Sequence, residues 1–257
     1  MTSFGPVDGC VLDTDGVITR TADVHERAWA QLFDGFMSER ADQFAGTATG
    51  RPFTREDYLS HVDGRPRYDG VAAFLSSRGI SLPVGSPEDG PDVATVCGLG
   101  NRKNAVFRER LAADGVRTYA TTVDLVKEMR AARIGVAAVS ASENQLTVLA
   151  AAGVTDLFDV RVDGVMAREL GLAGKPDPAL FLEAARRLDV EPARAVVVED
   201  ARSGVEAGRR GGFGWVVGVD RADNATALAA AGADVVTSDL GDLSVGPDRR
   251  LHIEEVA

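Results

Sequence analysis

The stretch VLDTDGVITRTADVHERAW, residues 11–29, decides how the rest of the chain is read. A short apolar run ends in two aspartates one residue apart, Asp13 and Asp15, and Gly16 comes directly after them. Like charges at the end of a buried strand repel. The arrangement costs stability unless a cation, or a reaction that uses both carboxylates, offsets it.

Outward from this point, DGCVL at 8–12 reads as a buried strand. Similar valine-rich runs return as RIGVAAVSAS (133–142), RAVVVEDA (194–201), FGWVVGVD (213–220) and ADVVTSD (233–239). Apolar runs of about four to eight residues mark strands buried on both faces. Between them TVDLVKEMRAAR, ENQLTVLAAAG, DPALFLEAARRLDV and GVEAGRRGG carry helical patterns, and Asp177 before Pro178 predicts a helix start. The predicted fold class is α/β, a Rossmann-like parallel sheet core with helices on both faces.

Residues 22–114 break the alternation. ADVHERAWAQLFDGFMSER, YDGVAAFLSSRG and NRKNAVFRERLAADG are helical in pattern, SLPVGSPEDGPD is a loop, and no strong strand is present. The predicted organisation is a core domain of residues 1–21 and 115–257, with an inserted helical cap domain, 22–114, over the carboxyl ends of the strands, where ligands of open α/β sheets bind. The segment after Asp239, LGDLSVGPDRRLHIEEVA, predicts a final short helix or loop and a loose end.

The chain has 257 residues, 45% of them apolar, enough for a sizeable core. Its formal net charge of −11 argues against a nucleic-acid partner. It does not argue against a phosphorylated substrate, which a few local cations or a metal can hold. Two cysteines, Cys10 and Cys97, cannot build a disulfide framework. The N-terminus has no signal-peptide pattern, and no window approaches the ~18 apolar residues of a membrane span. These features predict a cytoplasmic protein with no membrane and no nucleic-acid partner, a monomer by default.

The informative pattern lies at the end of each apolar run. The first ends in Asp13 and Asp15, the second in Ser140, Ala141 and Ser142, the third in Glu199 and Asp200, and Lys175 in GKPDP precedes a helix. In a parallel sheet these ends share one edge. Taken singly, each is ordinary turn, cap or loop chemistry; taken together they fit phosphoryl transfer. A carboxylate can attack phosphorus and form a labile acyl phosphate, a task for Asp13. A second carboxyl two residues on, Asp15, can act as general acid and base. Magnesium takes oxygen ligands, available from Asp13, the Asp15 carbonyl and Asp200, with Glu199 nearby. It would also offset the charge crowding. Ser140 and the backbone N–H groups beside it, at Ala141 and onward, can cradle the phosphate, and Lys175 can neutralise its oxygens.

The four stretches DTDGV, SAS, GKPDP and VVVEDA resemble the haloacid dehalogenase superfamily of phosphotransferases, over roughly residues 8–240. The resemblance implies a nucleophile at Asp13, an acid/base at Asp15, a requirement for Mg2+, and support from Ser140, Lys175, Glu199 and Asp200. Within the superfamily, DTDGVITRTADVHERAW is similar to the β-phosphoglucomutase-like subfamily, including Thr21, His25 and Trp29. Their spacing places the three on one helix face. On spacing alone His25 and Trp29 read as the edge and the core of an apolar face. The resemblance instead implies that His25 links cap closure to positioning of the acid/base aspartate.

The same resemblance implies that Arg67 and Lys103 hold the phosphate that is not reacting, with Ser142 and Asn144 as further contacts; arginine suits a bidentate grip. Arg55 in FTREDYL competes with Arg67 for that role. Asp63 stands where the best-known mutase carries lysine, and the cap is longer, which bears on the sugar contacts more than on the phosphate chemistry. The activity implied is interconversion of β-D-glucose 1-phosphate and glucose 6-phosphate through an aspartyl-phosphate enzyme, with glucose 1,6-bisphosphate as intermediate and activator. A disaccharide phosphorylase is the implied source of substrate. The principal alternative is a phosphatase of sugar phosphates or similar small metabolites. A non-catalytic binding protein would not need Asp13, Asp15, Lys175 and Asp200 intact, and a dehalogenase would not need Asp15.

Overall fold

The computed structural model of the chain describes residues 2–40 and 51–253. Residues 41–50 of the predicted cap and 254–257 of the predicted tail lie outside the described residues. Among the described residues nine strands run in chain order: β1 (Thr2–Pro6), β2 (Gly9–Asp13), β3 (Gly135–Val139), β4 (Val160–Val162), β5 (Ala195–Glu199), β6 (Trp215–Val219), β7 (Val235–Thr237), β8 (Leu243–Val245) and β9 (Arg250–Ile253).

Six of them form a parallel sheet in the order β4-β3-β2-β5-β6-β7. The five predicted runs supply β2, β3, β5, β6 and β7. Their continuous apolarity has a simple cause. Cys10, Leu12, Val136, Ala138, Val196 and Val198 join one core cluster, while the alternating Val11, Ala137, Val139, Ala195 and Val197 join another. Side chains alternate across a strand, so a sheet covered on both faces needs apolar residues at every position. The first face is filled by Leu125, Val126 and Met129 of the helix Ala120–Ala131 and the second by Leu180, Phe181, Ala184 and Ala185 of the helix Ala179–Leu188.

The helix predicted to begin at Asp177 begins two residues later. Pro178 takes the position before the helix, and Asp177 still serves its first turn by accepting the Ala179 N–H at 2.9 Å. The tail is a correction. After a short turn at Leu240–Asp242 it forms β8 and β9, which build a second, antiparallel sheet with β1 in the order β1-β9-β8. Thr2 pairs with Ile253, and Leu243, Leu251 and Ile253 join the first core cluster with Phe4, whose ring lies 4.6 Å from that of Trp215. Strands of three to five residues show too little period to be recognised, and their partners lie at opposite ends of the chain.

The chain divides into two compact units, residues 1–20 with 116–257 and Thr21–Gly115. The second is built on the helices Ala22–Ser38, Arg67–Ser77 and Val96–Asp114, with a short helical stretch over Arg55–Val62. Its core is aromatic: Trp29, Phe33, Phe36, Phe53, Tyr58 and Phe74 are buried, and the Phe33 and Phe74 rings lie 3.9 Å apart. The third helix starts at Val96, five residues before the predicted NRKN pattern, where Thr95 accepts the Gly98 N–H at 2.9 Å. Gly98 and Gly100 hide this first turn from a propensity reading. They stand there because a Cβ would overlap the Val93 carbonyl and crowd the Tyr68 ring. This unit also buries an ion pair. Arg78 donates to Asp57 at 2.8 Å, with side chains 4% and 3% exposed.

Candidate active site

Three strand ends of the first unit build the site. β2 delivers Asp13, and its Oδ2 accepts the Asp15 N–H at 2.9 Å, so the first aspartate orders the turn that presents the second. The turn is closed by Gly16 N–H to Thr19 O at 2.8 Å and by the Ile18 and Thr19 N–H groups, both donated to Thr14 O. Gly16 has φ +88°, and a Cβ there would overlap the Asp200 carboxylate. Glycine is required twice over, by backbone conformation and by the approach of the acidic end of β5.

Lys175 is the centre of the buried charge. Its Nζ donates to Asp13 Oδ1 and, at 2.5 Å, to Glu199 Oε1, and its side chain is 1% exposed. Burial alone would lower its pKa, but the Asp13 and Glu199 carboxylates outweigh that and hold the ammonium above the usual lysine range. Burial pushes the Asp13 carboxyl well above the ordinary carboxylate range. Lys175 opposes the shift, and Glu199 and Asp15 add to it. The crowding inferred from the sequence is therefore present, and one lysine only partly relieves it.

Glu199 has both oxygens engaged within the chain, one by Lys175 and the other by the Ala201 N–H at 2.7 Å. That geometry makes it the residue that orients Lys175. Gly204 makes room for it, since a Cβ there would overlap its carboxylate. Among the described residues no three His, Cys, Asp or Glu side chains gather as a ready-made metal site. A set of two carboxylates, Asp13 and Asp200, with the Asp15 carbonyl nonetheless fits magnesium, which binds through one or two carboxylates and keeps much of its water. The space left by Gly16 for the Asp200 carboxylate belongs to that fit.

β3 brings the hydroxyl. Ser140 is buried, donates to Asp15 Oδ2 at 3.2 Å and accepts the Ser142 N–H at 3.0 Å. Ser142 Oγ in turn accepts the Asn144 N–H at 3.1 Å. The loop through Ala141 is thus wound so that serine oxygens absorb its own N–H groups at 142 and 144. Two residues without a predicted role tie this loop to the aspartates. Gln145 Nε2 donates to Thr14 Oγ1 at 2.9 Å, and Thr14 Oγ1 donates to Val139 O at 2.9 Å. Their signal in the sequence is a glutamine in an otherwise apolar helical pattern and a threonine between two acids.

In the second unit the structure joins His25 and Lys103, 78 residues apart, with Nδ1 and Nζ at 2.6 Å. An ammonium has only donors, so Nδ1 accepts and a neutral ring carries its proton on Nε2. The imidazole stacks on Phe107 with centroids 4.0 Å apart, and Lys103 Nζ lies 4.9 Å from the rings of Trp29 and Phe107. Thr21 occupies the position before the helix, and its carbonyl accepts the His25 N–H at 2.9 Å. Arg67 opens the helix Arg67–Ser77; it donates to Tyr68 Oη at 3.3 Å, and Tyr68 donates to Asn101 at 2.9 Å. Arg55 pairs with Glu26 at 2.7 Å.

The family model for haloacid dehalogenase-like hydrolases matches residues 7–212. A β-phosphoglucomutase of Mycobacterium bovis is 46% identical over 92% of this chain and 91% of its own length. An uncharacterised glycosyl hydrolase of Mycobacterium tuberculosis is 37% identical over 93% of this chain, which corresponds to 18% of that much longer protein. The crystal structure of a β-phosphoglucomutase from Clostridium difficile superposes with a TM-score of 0.72, at 23% identity and 93% coverage of both chains.

Proposed function

This chain belongs to the haloacid dehalogenase-like hydrolases, and from that premise we propose that it acts as a β-phosphoglucomutase, interconverting β-D-glucose 1-phosphate and glucose 6-phosphate. The observation that carries this reading is the likeness to the mycobacterial mutase, which runs through both units rather than the catalytic core alone.

Asp13 is the nucleophile. In one half phosphorylated Asp13 gives its phosphoryl group to the open hydroxyl of the sugar phosphate: the hydroxyl oxygen bonds to phosphorus, its proton passes to Asp15, and the bond from phosphorus to Asp13 breaks, which makes the bisphosphate. In the other half the reoriented bisphosphate returns its other phosphoryl group: the Asp13 carboxylate bonds to phosphorus, the bond from phosphorus to the sugar oxygen breaks, and Asp15 gives its proton to that oxygen. Glucose 1,6-bisphosphate is the intermediate and, in trace, the activator. Ser140 is placed to steer Asp15 through its hydrogen bond to Oδ2. Lys175, held cationic by two carboxylates, balances charge on the transferring group. Magnesium, held by Asp13, Asp200 and the Asp15 carbonyl, would supply charge neutralisation and orient the phosphoryl oxygens. The resemblance assigns Arg67, Lys103, Ser142 and Asn144 to the second phosphate and gives His25 the task of coupling to the acid/base aspartate.

The test is a product assay with β-glucose 1-phosphate, Mg2+ and a trace of glucose 1,6-bisphosphate, monitoring glucose 6-phosphate and free phosphate together. Accumulating glucose 6-phosphate with little free phosphate is expected. Stoichiometric free phosphate and glucose would make the protein a phosphatase instead. In the same assay Gly16→Ala is expected to lower turnover by about 10²-fold, because it displaces the Asp200 carboxylate from the site. Circular dichroism of the variant should show the fold retained.

A further inference from the structure

A fourth strand end contributes to the core-side site. β6 runs into DRADN, residues 220–224, and this loop is held more firmly than an ordinary connection. Asp220 Oδ1 accepts the N–H groups of Ala222 at 3.2 Å and Asn224 at 2.8 Å. Arg221 donates to the carbonyls of Gly16 at 3.1 Å and Ser238 at 2.7 Å, and its guanidinium lies 3.8 Å from the centre of the Tyr119 ring. The loop is therefore stapled to the turn that carries Asp15.

What it presents there is Asn224. Its Nδ2 donates to the backbone carbonyl of Asp200 at 3.3 Å. A carbonyl only accepts, so the amide orientation is set by the contact. Its Oδ1 is sealed from solvent and has no hydrogen-bond partner among the described residues. A buried acceptor costs stability unless a donor reaches it, and a hydrated cation brings donors of its own. Asn224 makes no side-chain cap for the next helix, Ala225–Ala231, so helix capping does not account for it.

We propose that Asn224, held by the 220–224 loop, is a positioning residue for the metal site: by fixing the Asp200 backbone it sets where the Asp200 carboxylate meets a divalent cation. This rests on the reading of Asp13 and Asp200 as magnesium ligands. Residues one step behind the ligands typically change metal affinity by about 10- to 100-fold when removed.

The experiment is calorimetric titration of Mg2+ into the full chain and into Asn224→Ser and Asn224→Ala, alongside the metal-free unfolding temperature of each. Serine is a good residue at a helix start but too short to reach the Asp200 carbonyl, so it protects the fold while removing the contact. The expected result is a Mg2+ dissociation constant raised about 10-fold in both variants, with metal-free unfolding little changed. An unchanged dissociation constant in a folded variant, with or without a lower unfolding temperature, would overturn the inference and leave Asn224 a structural residue. No Mg2+ binding by the unaltered chain would instead overturn the magnesium reading, and this inference with it.

Discussion

Asp13→Asn is expected to abolish phosphoryl transfer, by at least about 10⁴-fold in kcat, while the protein stays folded. An amide is a poor nucleophile, and the neighbouring groups cannot substitute: Asp15 is engaged by Ser140, and Glu199 is occupied by Lys175 and the Ala201 N–H. The fold should survive because Lys175 keeps Glu199 as a partner at 2.5 Å when the Asp13 charge is removed. The substitution also removes a carboxyl that burial already pushes well above its ordinary range, so it relieves repulsion with Glu199 and Asp15. Rapid-quench labelling with a phosphoryl donor should show a phosphoenzyme in the parent chain or a burst of product, and neither in the variant. Residual transfer above about one part in a hundred would move the nucleophile elsewhere.

The second large effect lies in the other unit and concerns stability. Asp57 and Arg78 are buried together, and Asp57 also accepts from Thr54 Oγ1 at 2.8 Å and from the Thr54 N–H at 2.9 Å. Arg78 further donates to Arg51 O at 2.8 Å and Pro52 O at 3.3 Å, so the pair ties residues 51–57 to the end of the helix Arg67–Ser77. Asp57→Ala leaves a guanidinium buried without its counter-charge, which costs about 3–5 kcal/mol. The remaining carbonyl acceptors put the expected loss near the lower end, or roughly 15 °C in the melting temperature of this unit.

The pH dependence separates this mechanism from simple loss of packing. Burial alone would raise the Asp57 pKa, but the Thr54 hydrogen bonds and Arg78 outweigh it and hold the carboxyl below its ordinary value. A depressed carboxyl stabilises the fold at all pH values above the unfolded pKa of about 3.9, and that contribution is lost as pH falls through the lower folded value. The gap in stability between the parent and Asp57→Ala should be full at pH 7 and shrink only below about pH 4. A gap that stayed constant into acid would assign the loss to packing.

Much of the site was legible because its parts are local. Asp13, Ser140, Glu199 and Asp200 each end a strand whose apolarity is readable in a window of a few residues, and parallel strands bring such ends to one edge regardless of their distance in sequence. The fourth strand end is less legible. The run before DRADN leads to Arg221 and Asn224, whose contacts with Gly16 and Asp200 have no sequence signature beyond that position.

By itself the sequence determined the parallel sheet, the acidic strand ends and the helical character of residues 22–114, because burial on both faces forces continuous apolar runs and an α-helix forces its own period. Only the tertiary structure decided which partner each polar group takes. It turned Glu199 toward Lys175, set Lys103 on His25, bound Thr14 to Gln145, and paired β1 with β9 across the two ends of the chain. The reason is physical. Burial makes an unpaired charge or hydrogen-bonding group costly, and the partner that meets that cost is chosen by distance in space, which no local pattern encodes.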